Sequence, residues 1–362
     1  MRAILSALLA LCLSAPAHAQ DDALVPPRRA IFTEGLDLAG RDLAQLFDTT
    51  LEACEAACLA NPECEAFTFN ARNNSCFPKA GVSGASAYQG AYSAYLRAAA
   101  AGAGDRARAR AADLGFLPPG ALSGAFAMAR ALGRDHMTGD WSEADLQTAV
   151  AAARQRGDMA GAVRLQGALL NLGDSADQWL EYARLTLAAA GNDRRASAAR
   201  AASAALNGYL RAPGAAAQAE ALLVFSGAAE RTGRTQDMVP ALRLAQRLSP
   251  REDIAAALDD AIARYGFRIT EHQVESDLAD PRICAVFSDD LVRSGVDYAS
   301  FVQLPEPGLA VEAEANQLCV TGLKHGARYA LTFREGLPSA GGEAMAKDVT
   351  ITAYMRDRSP AV

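Results

Sequence analysis

Large rings are scarce in this chain: phenylalanine, tryptophan and tyrosine supply 6% of its 362 residues, with only two tryptophans. Such a chain cannot fill its interior with aromatics. Its abundant alanine predicts instead a large helical portion held by close small-residue contacts. Histidine is scarcer still, at four residues. His136, His272 and His325 are scattered and no two cysteines have Cys-x-x-Cys spacing, which argues against zinc. Also missing are His-Glu-x-x-His, the Gly-x-Ser-x-Gly nucleophile elbow and a phosphate-cradling glycine loop. His325, in Lys324-His325-Gly326, reads as a turn between strands. The adjacent pairs Asp259-Asp260 and Asp289-Asp290 read as solvated surface. The sequence therefore predicts no enzyme, and no catalytic residue, cofactor or metal ligand is assigned.

Long apolar runs are absent except at the start. Arg2, the apolar stretch Ile4 to Leu13 and the small-residue site Ala17-His18-Ala19 form the pattern of a cleavable signal peptide over residues 1–19. That run is shorter than the roughly 20 residues a bilayer span needs. Cys12 follows Leu11 rather than a small residue, so it belongs to the leader and not to a lipoprotein anchor. Losing Arg2 with the leader takes the formal charge from −7 to about −8. This balance argues against nucleic acid or an anionic membrane as the main partner. Export to a periplasmic or envelope space, with six remaining cysteines, makes disulfides the expected state of the sulfurs.

Four of those cysteines, Cys54, Cys58, Cys64 and Cys76, fall in one small domain over residues 27–97. Thr50 caps a helix that carries Cys54 and Cys58 on one face and stops at Asn61-Pro62. Glu65 to Asn70 alternates like a strand, and Ser75-Cys76-Phe77 follows an Asn73-Asn74 turn. Bridging Cys54 to Cys58 requires two parallel side chains of one helix to converge, which is poor geometry. Of the two other connectivities, the preferred one joins Cys58 to Cys64 around the helix end and Cys54 to Cys76. The string Cys54-x3-Cys58-x5-Cys64-x-Ala66-Phe67-Thr68-Phe69-Asn70, closing with Cys76-Phe77-Pro78-Lys79, resembles the PAN/apple family. The resemblance implies a helix cradled by a curved antiparallel sheet, and binding of proteins or carbohydrates. The third disulfide of some apple domains has no cysteines here to form it.

Residues 98–112 are alanine, glycine and arginine with little else and read as a linker, with Arg106, Arg108 and Arg110 as a solvated face. Residues 113–266 read as a helical repeat tract. Trp141-Ser142-Glu143 opens a helix, and apolar positions recur at helical spacing in Leu165, Leu169 and Leu172, in Leu180, Ala183 and Leu187, and in Leu222, Phe225 and Ala229. Gly157, Gly191 and Gly233 interrupt the pattern at intervals fitting helix-turn-helix repeats of tetratricopeptide type, with Ser249-Pro250 closing a unit.

From residue 267 to 362 the pattern alternates. Ile283 to Phe287, Leu309 to Ala313, Gln317 to Val320, Arg328 to Phe333 and Val349 to Tyr354 read as strands of an antiparallel β-sandwich, and a bridge from Cys284 to Cys319 joins two of them. Arg282-Ile283-Cys284-Ala285-Val286-Phe287-Ser288, Leu318-Cys319-Val320-Thr321-Gly322-Leu323-Lys324-His325-Gly326 and Arg334-Glu335-Gly336-Leu337-Pro338 resemble the first macroglobulin-like domain of bacterial alpha-2-macroglobulin family proteins. The order of the three modules fits a subset of that family. The resemblance implies the amino-terminal recognition and scaffold portion of a longer periplasmic protease trap, an endopeptidase inhibitor. The family's Cys-x-Glu-Gln thioester motif does not occur, so its covalent chemistry is carried onto no residue here. The expected partners are proteins, including proteases in the context of a longer chain, or an envelope glycan, with membrane association only through a partner. A free-standing exported adaptor acting through the apple-like or helical module is the alternative.

Overall fold

The computed structural model describes residues 24–189, 191 and 193–357. The leader expected over residues 1–19, with Cys12, lies outside them. The protein is multidomain, with α and β modules, and divides into two compact units, one ending at Thr232 and one beginning at Gly233.

The first unit opens with strand β1 (Arg28–Asp42), helix α1 (Leu51–Ala60), strand β2 (Ala66–Asn70) and the long strand β3 (Ser75–Ala98). β1 runs antiparallel to β3 through most of its length, from Arg28 opposite Ala98 to Asp42 opposite Lys79. β3 curls so that both its ends flank β2: Asn70 lies opposite Ser75 on one side and Ala91 on the other. The result is a curved sheet carrying α1. Sequence alternation marks β2 and the start of β3 but not β1, whose hydrophobic residues are clustered at Ile31 and Phe32 and interrupted by Gly35, which has φ of 80°.

Seven helices follow: α2 (Ala103–Ala112), α3 (Ala121–Asp135), α4 (Glu143–Gln155), α5 (Met159–Gly173), α6 (Ala176–Ala188), α7 (Arg194–Arg211) and α8 (Ala215–Thr232). From α4 to α8 each packs on the next. Ser142 caps α4 in a reciprocal capping box with Asp145, and Ser175 caps α6 with Gln178. The core is small-residue contact around a few rings. Ala201, Ala204, Ala205, Ala219 and Ala221 are fully buried together with Trp179 and Tyr209.

The expected linker is a correction. Residues 103–112 form α2, whose Ala107 is fully buried. α2 packs on α7, and Arg110, expected on a solvated face, donates to the Leu210 carbonyl at 2.7 Å. Alanine and arginine are strong helix formers, and one small-residue stripe suffices to seat such a helix.

In the second unit, helices α9 (Met238–Leu248) and α10 (Glu252–Tyr265) precede strands β4 (Ile269–Glu275), β5 (Arg282–Phe287), β6 (Val302–Gln303), β7 (Ala310–Glu314), β8 (Gln317–Thr321), β9 (Ala327–Phe333) and β10 (Val349–Met355). The strands form two sheets, ordered β4-β5-β8-β7 and β10-β9-β6. Ile283, Phe287 and Val320 from one sheet meet Leu331, Phe333 and Ile351 from the other in a single core. The compact division thus falls ahead of α9 and α10 rather than at residue 267. Arg243 of α9 pairs with Glu343 of the β9–β10 connection at 2.7 Å, so this helix is tied to the sandwich that follows it.

Candidate functional site

α1 is fixed at both ends. The Thr50 hydroxyl accepts from the Ala53 amide at 3.2 Å, and the Asn61 amide returns to the Cys58 carbonyl at 3.2 Å. Cys54 and Cys58, one turn apart, face the sheet. Cys54 bridges to Cys76 of β3 with 5.6 Å between Cα atoms, and Cys58 to Cys64 with 5.3 Å. All four cysteines are buried around Phe32 and Phe67, whose rings meet edge to face at 5.6 Å. With so few large residues in this core, each bridge supplies roughly 2–4 kcal/mol that apolar burial alone does not.

The opposite side of α1 looks toward α3. Gly133 of α3 sits directly against β1: a Cβ there would lie 2.6 Å from both the Ala30 carbonyl oxygen and the Phe32 ring. No larger residue allows that approach. The next residue, Arg134, forms an ion pair with Glu55 and lies 3.9 Å from Glu52. Glu55 is buried, and the loss of solvent pushes its carboxyl above the ordinary range, outweighing the opposing pull of Arg134 and Arg130.

A second fastening comes from the sheet. Arg29 and Arg97 are cross-strand neighbours, and both reach the C-terminal end of α5. Arg29 donates to the carbonyls of Asn171 and Leu172, the latter at 2.8 Å, and Arg97 donates to Leu172 at 2.6 Å. Two cations thus meet the negative end of a helix dipole. Asp174, in the left-handed conformation just past α5, accepts from the Trp179 indole at 2.8 Å and pairs with Arg211 at 2.7 Å. Arg28 donates to the carbonyls of Asn61 and Cys64, bracing the disulfide loop at the end of α1.

Between α1, α3 and the start of β1 these contacts leave a cavity of about 610 Å³. Pro26, Pro27, Leu59, Pro62 and Phe126 give it apolar walls, and Arg130 lies 5.5 Å over the Phe126 ring. Arg28, Arg29 and Arg134 in the wall are already engaged, so the cleft is a preformed slot with apolar walls and a charged rim whose arginines are held in place. Its chemistry suits an apolar or partly apolar group flanked by hydrogen-bonding atoms. Nothing in it resembles a nucleophile with a base.

The remaining residues singled out by sequence lie elsewhere. Cys284 and Cys319 face each other in register on β5 and β8, bridged with 3.9 Å between Cα atoms. His325 lies between β8 and β9, its Nε2 2.8 Å from the Ser276 carbonyl oxygen, a structural contact. Among the described residues no cluster of three or more metal-ligating side chains occurs, and no helix is long and apolar enough to cross a membrane. The slot residues escaped the sequence reading, because Gly133 and Arg134 resemble any helix surface until α3 is placed against α1.

Comparison with protein families finds one match: residues 30–97 match the PAN domain. The first module is thus an apple-like domain, while the match leaves the helices and the sandwich untouched. No curated protein matches the chain. The bridges in both units and the PAN domain mark an exported protein.

Proposed function

We propose that this chain is an exported, noncatalytic recognition protein that holds a protein or glycan partner at its PAN domain, with the slot between α1 and α3 as the contact. The observation that carries this reading is the union of a PAN domain with a preformed cavity of about 610 Å³ at its own helix. PAN domains commonly bind proteins or carbohydrates, and here the domain is held against its helical neighbour by Gly133, Arg134, Arg29 and Arg97.

A finer reading assigns this recognition part to the amino-terminal portion of a periplasmic protease trap of macroglobulin type. What favours it is the disulfide-pinned antiparallel sandwich after the helices, in the module order and with the residue strings that resemble that family. The adaptor alternative needs only the first unit. The two separate on protease challenge of the native envelope protein with trypsin. A trap is cut first at one preferred site and then compacts, which gel mobility and small-angle scattering read directly. An adaptor yields scattered surface cuts and no compaction, and that result would sink the trap reading while leaving the binding role intact.

A further inference from the structure

A second cavity, about 400 Å³, lies on the helical side of the first unit, among α3, α6 and α7. Its origin is the divergence of two helices. α3 and α7 touch near Gly124, where a Cβ would be 3.7 Å from the Ser203 hydroxyl, and at Asn207, which donates to the Ala125 carbonyl at 2.7 Å. Toward the C-terminal end of α3 they separate, and the space between them is not filled by side chains.

The floor of that space is a polar pair in an otherwise small-residue surround. His136 Nε2 and the Tyr182 hydroxyl are 3.1 Å apart, with their rings edge to face at 5.4 Å. The imidazole is wedged against Gly167 of α5, where any Cβ would collide with the ring at 2.3 Å, so it cannot move toward α5. One wall is apolar, made by Ala127, Met128, Ala131 and Leu132 of α3. At the mouth stand two opposite charges, Asp135 on α3 and Arg200 on α7, both exposed. Among the described residues neither is taken up in an ion pair, and the Arg200 guanidinium hydrogen-bonds the Tyr182 hydroxyl, which leaves its charge available to a ligand. Both act on the floor with opposite sign: Asp135 raises and Arg200 lowers the His136 proton affinity, against a larger lowering by burial.

We propose that this pocket binds a free α-amino acid with an apolar side chain. A zwitterion is the ligand class that answers a cation and an anion lining one cavity. Its carboxylate meets the Arg200 guanidinium, with the Tyr182 hydroxyl within the same cluster. Its ammonium meets Asp135. The apolar body lies along Ala127, Met128, Ala131 and Leu132. A simple anion gains Arg200 but also meets Asp135, and a simple amine gains Asp135 but also meets Arg200, so each forgoes one of the two contacts a zwitterion makes. The site is distinct from the slot at α1, because it opens on the other side of α3, with Leu132 the residue common to both.

The test is isothermal titration calorimetry of the full chain with three probes: L-leucine, 4-methylpentanoate, which lacks the ammonium, and 3-methylbutylamine, which lacks the carboxylate. Saturable binding of L-leucine is expected, with each truncated probe weaker by about tenfold or more, the size of one lost charged contact. Arg200→Gln and Asp135→Asn are each expected to weaken L-leucine by about tenfold. Both positions are exposed, so these variants keep the fold, which their unfolding temperatures verify. Absence of saturable L-leucine binding, equal binding of 4-methylpentanoate, or undiminished binding by Arg200→Gln would each overturn the assignment.

Discussion

Glu55 is the residue on which the seam between the PAN domain and the helices turns. It is a carboxylate taken out of water and paired with Arg134, whose side chain is 25% exposed, with a weaker pull from Arg130. Removing Arg134 leaves the charge without its ion pair. Arg134→Met is expected to cost about 2 kcal/mol or more at neutral pH, below the roughly 3–5 kcal/mol of a fully buried pair because water still reaches Arg134. The double variant Glu55→Gln with Arg134→Met is expected to be more stable than Arg134→Met alone. The sign with pH follows from the carboxyl's raised proton affinity in the fold. The native state holds this proton more tightly than the unfolded chain does, so the contribution of Glu55 to stability falls as pH rises through the window just above the ordinary carboxyl value. Arg134 and Arg130 oppose that rise and Glu52 adds to it. Urea unfolding of the Arg134→Met variant across the acid range checks this: its deficit should shrink on acidification. A deficit that grows instead would contradict the assignment of Glu55 as the desolvated group.

At the scale of elements, legibility tracked how local the cause was. The cap at Thr50, the one-turn spacing of Cys54 and Cys58 and the stop at Asn61 are set by neighbours in sequence, and α1 with its bridges follows from them. Ser142 at the start of α4 is legible for the same reason. β1 was not, because its partners on β3 lie far along the chain, from Asp42 opposite Lys79 to Arg28 opposite Ala98, and its pattern is broken at Gly35. α2 has the composition of a linker, since a buried stripe of one alanine has no hydrophobic signature. That correction has its own test. Ala107→Asp places an unpaired charge where no solvent reaches, and α2 is expected to leave α7, so that trypsin cuts first at Arg106, Arg108 or Arg110. Equally rapid cutting at these arginines in parent and variant would restore the linker reading. The slot and the second pocket are tertiary products: Gly133, Arg134, His136 and Tyr182 acquire meaning only when α3 is laid against α1 on one side and α7 on the other.

At the scale of the whole molecule, two compact units each carry their own sulfur bridges, so each should respond to loss of its own. Cys284→Ala with Cys319→Ala is expected to lower the stability of the second unit by about 2–4 kcal/mol and to leave the first unchanged, seen by calorimetry as movement of one of two transitions. A single transition moving as a whole would mean the units unfold together. The sandwich was legible because alternation and turn residues are local, whereas the tie of α9 to it through Arg243 and Glu343 was not, the two residues being 100 positions apart. The measurement that bears most directly on the recognition role is site-specific photocrosslinking of the full chain expressed in its own cells. The photoreactive residue is placed at Ala56, in the slot, and in a control at Thr148 on the exposed face of α4. The slot position is expected to give one discrete adduct that the control lacks and that Gly133→Val abolishes. Identical adducts from both positions, or none from Ala56, would contradict the slot as the partner contact.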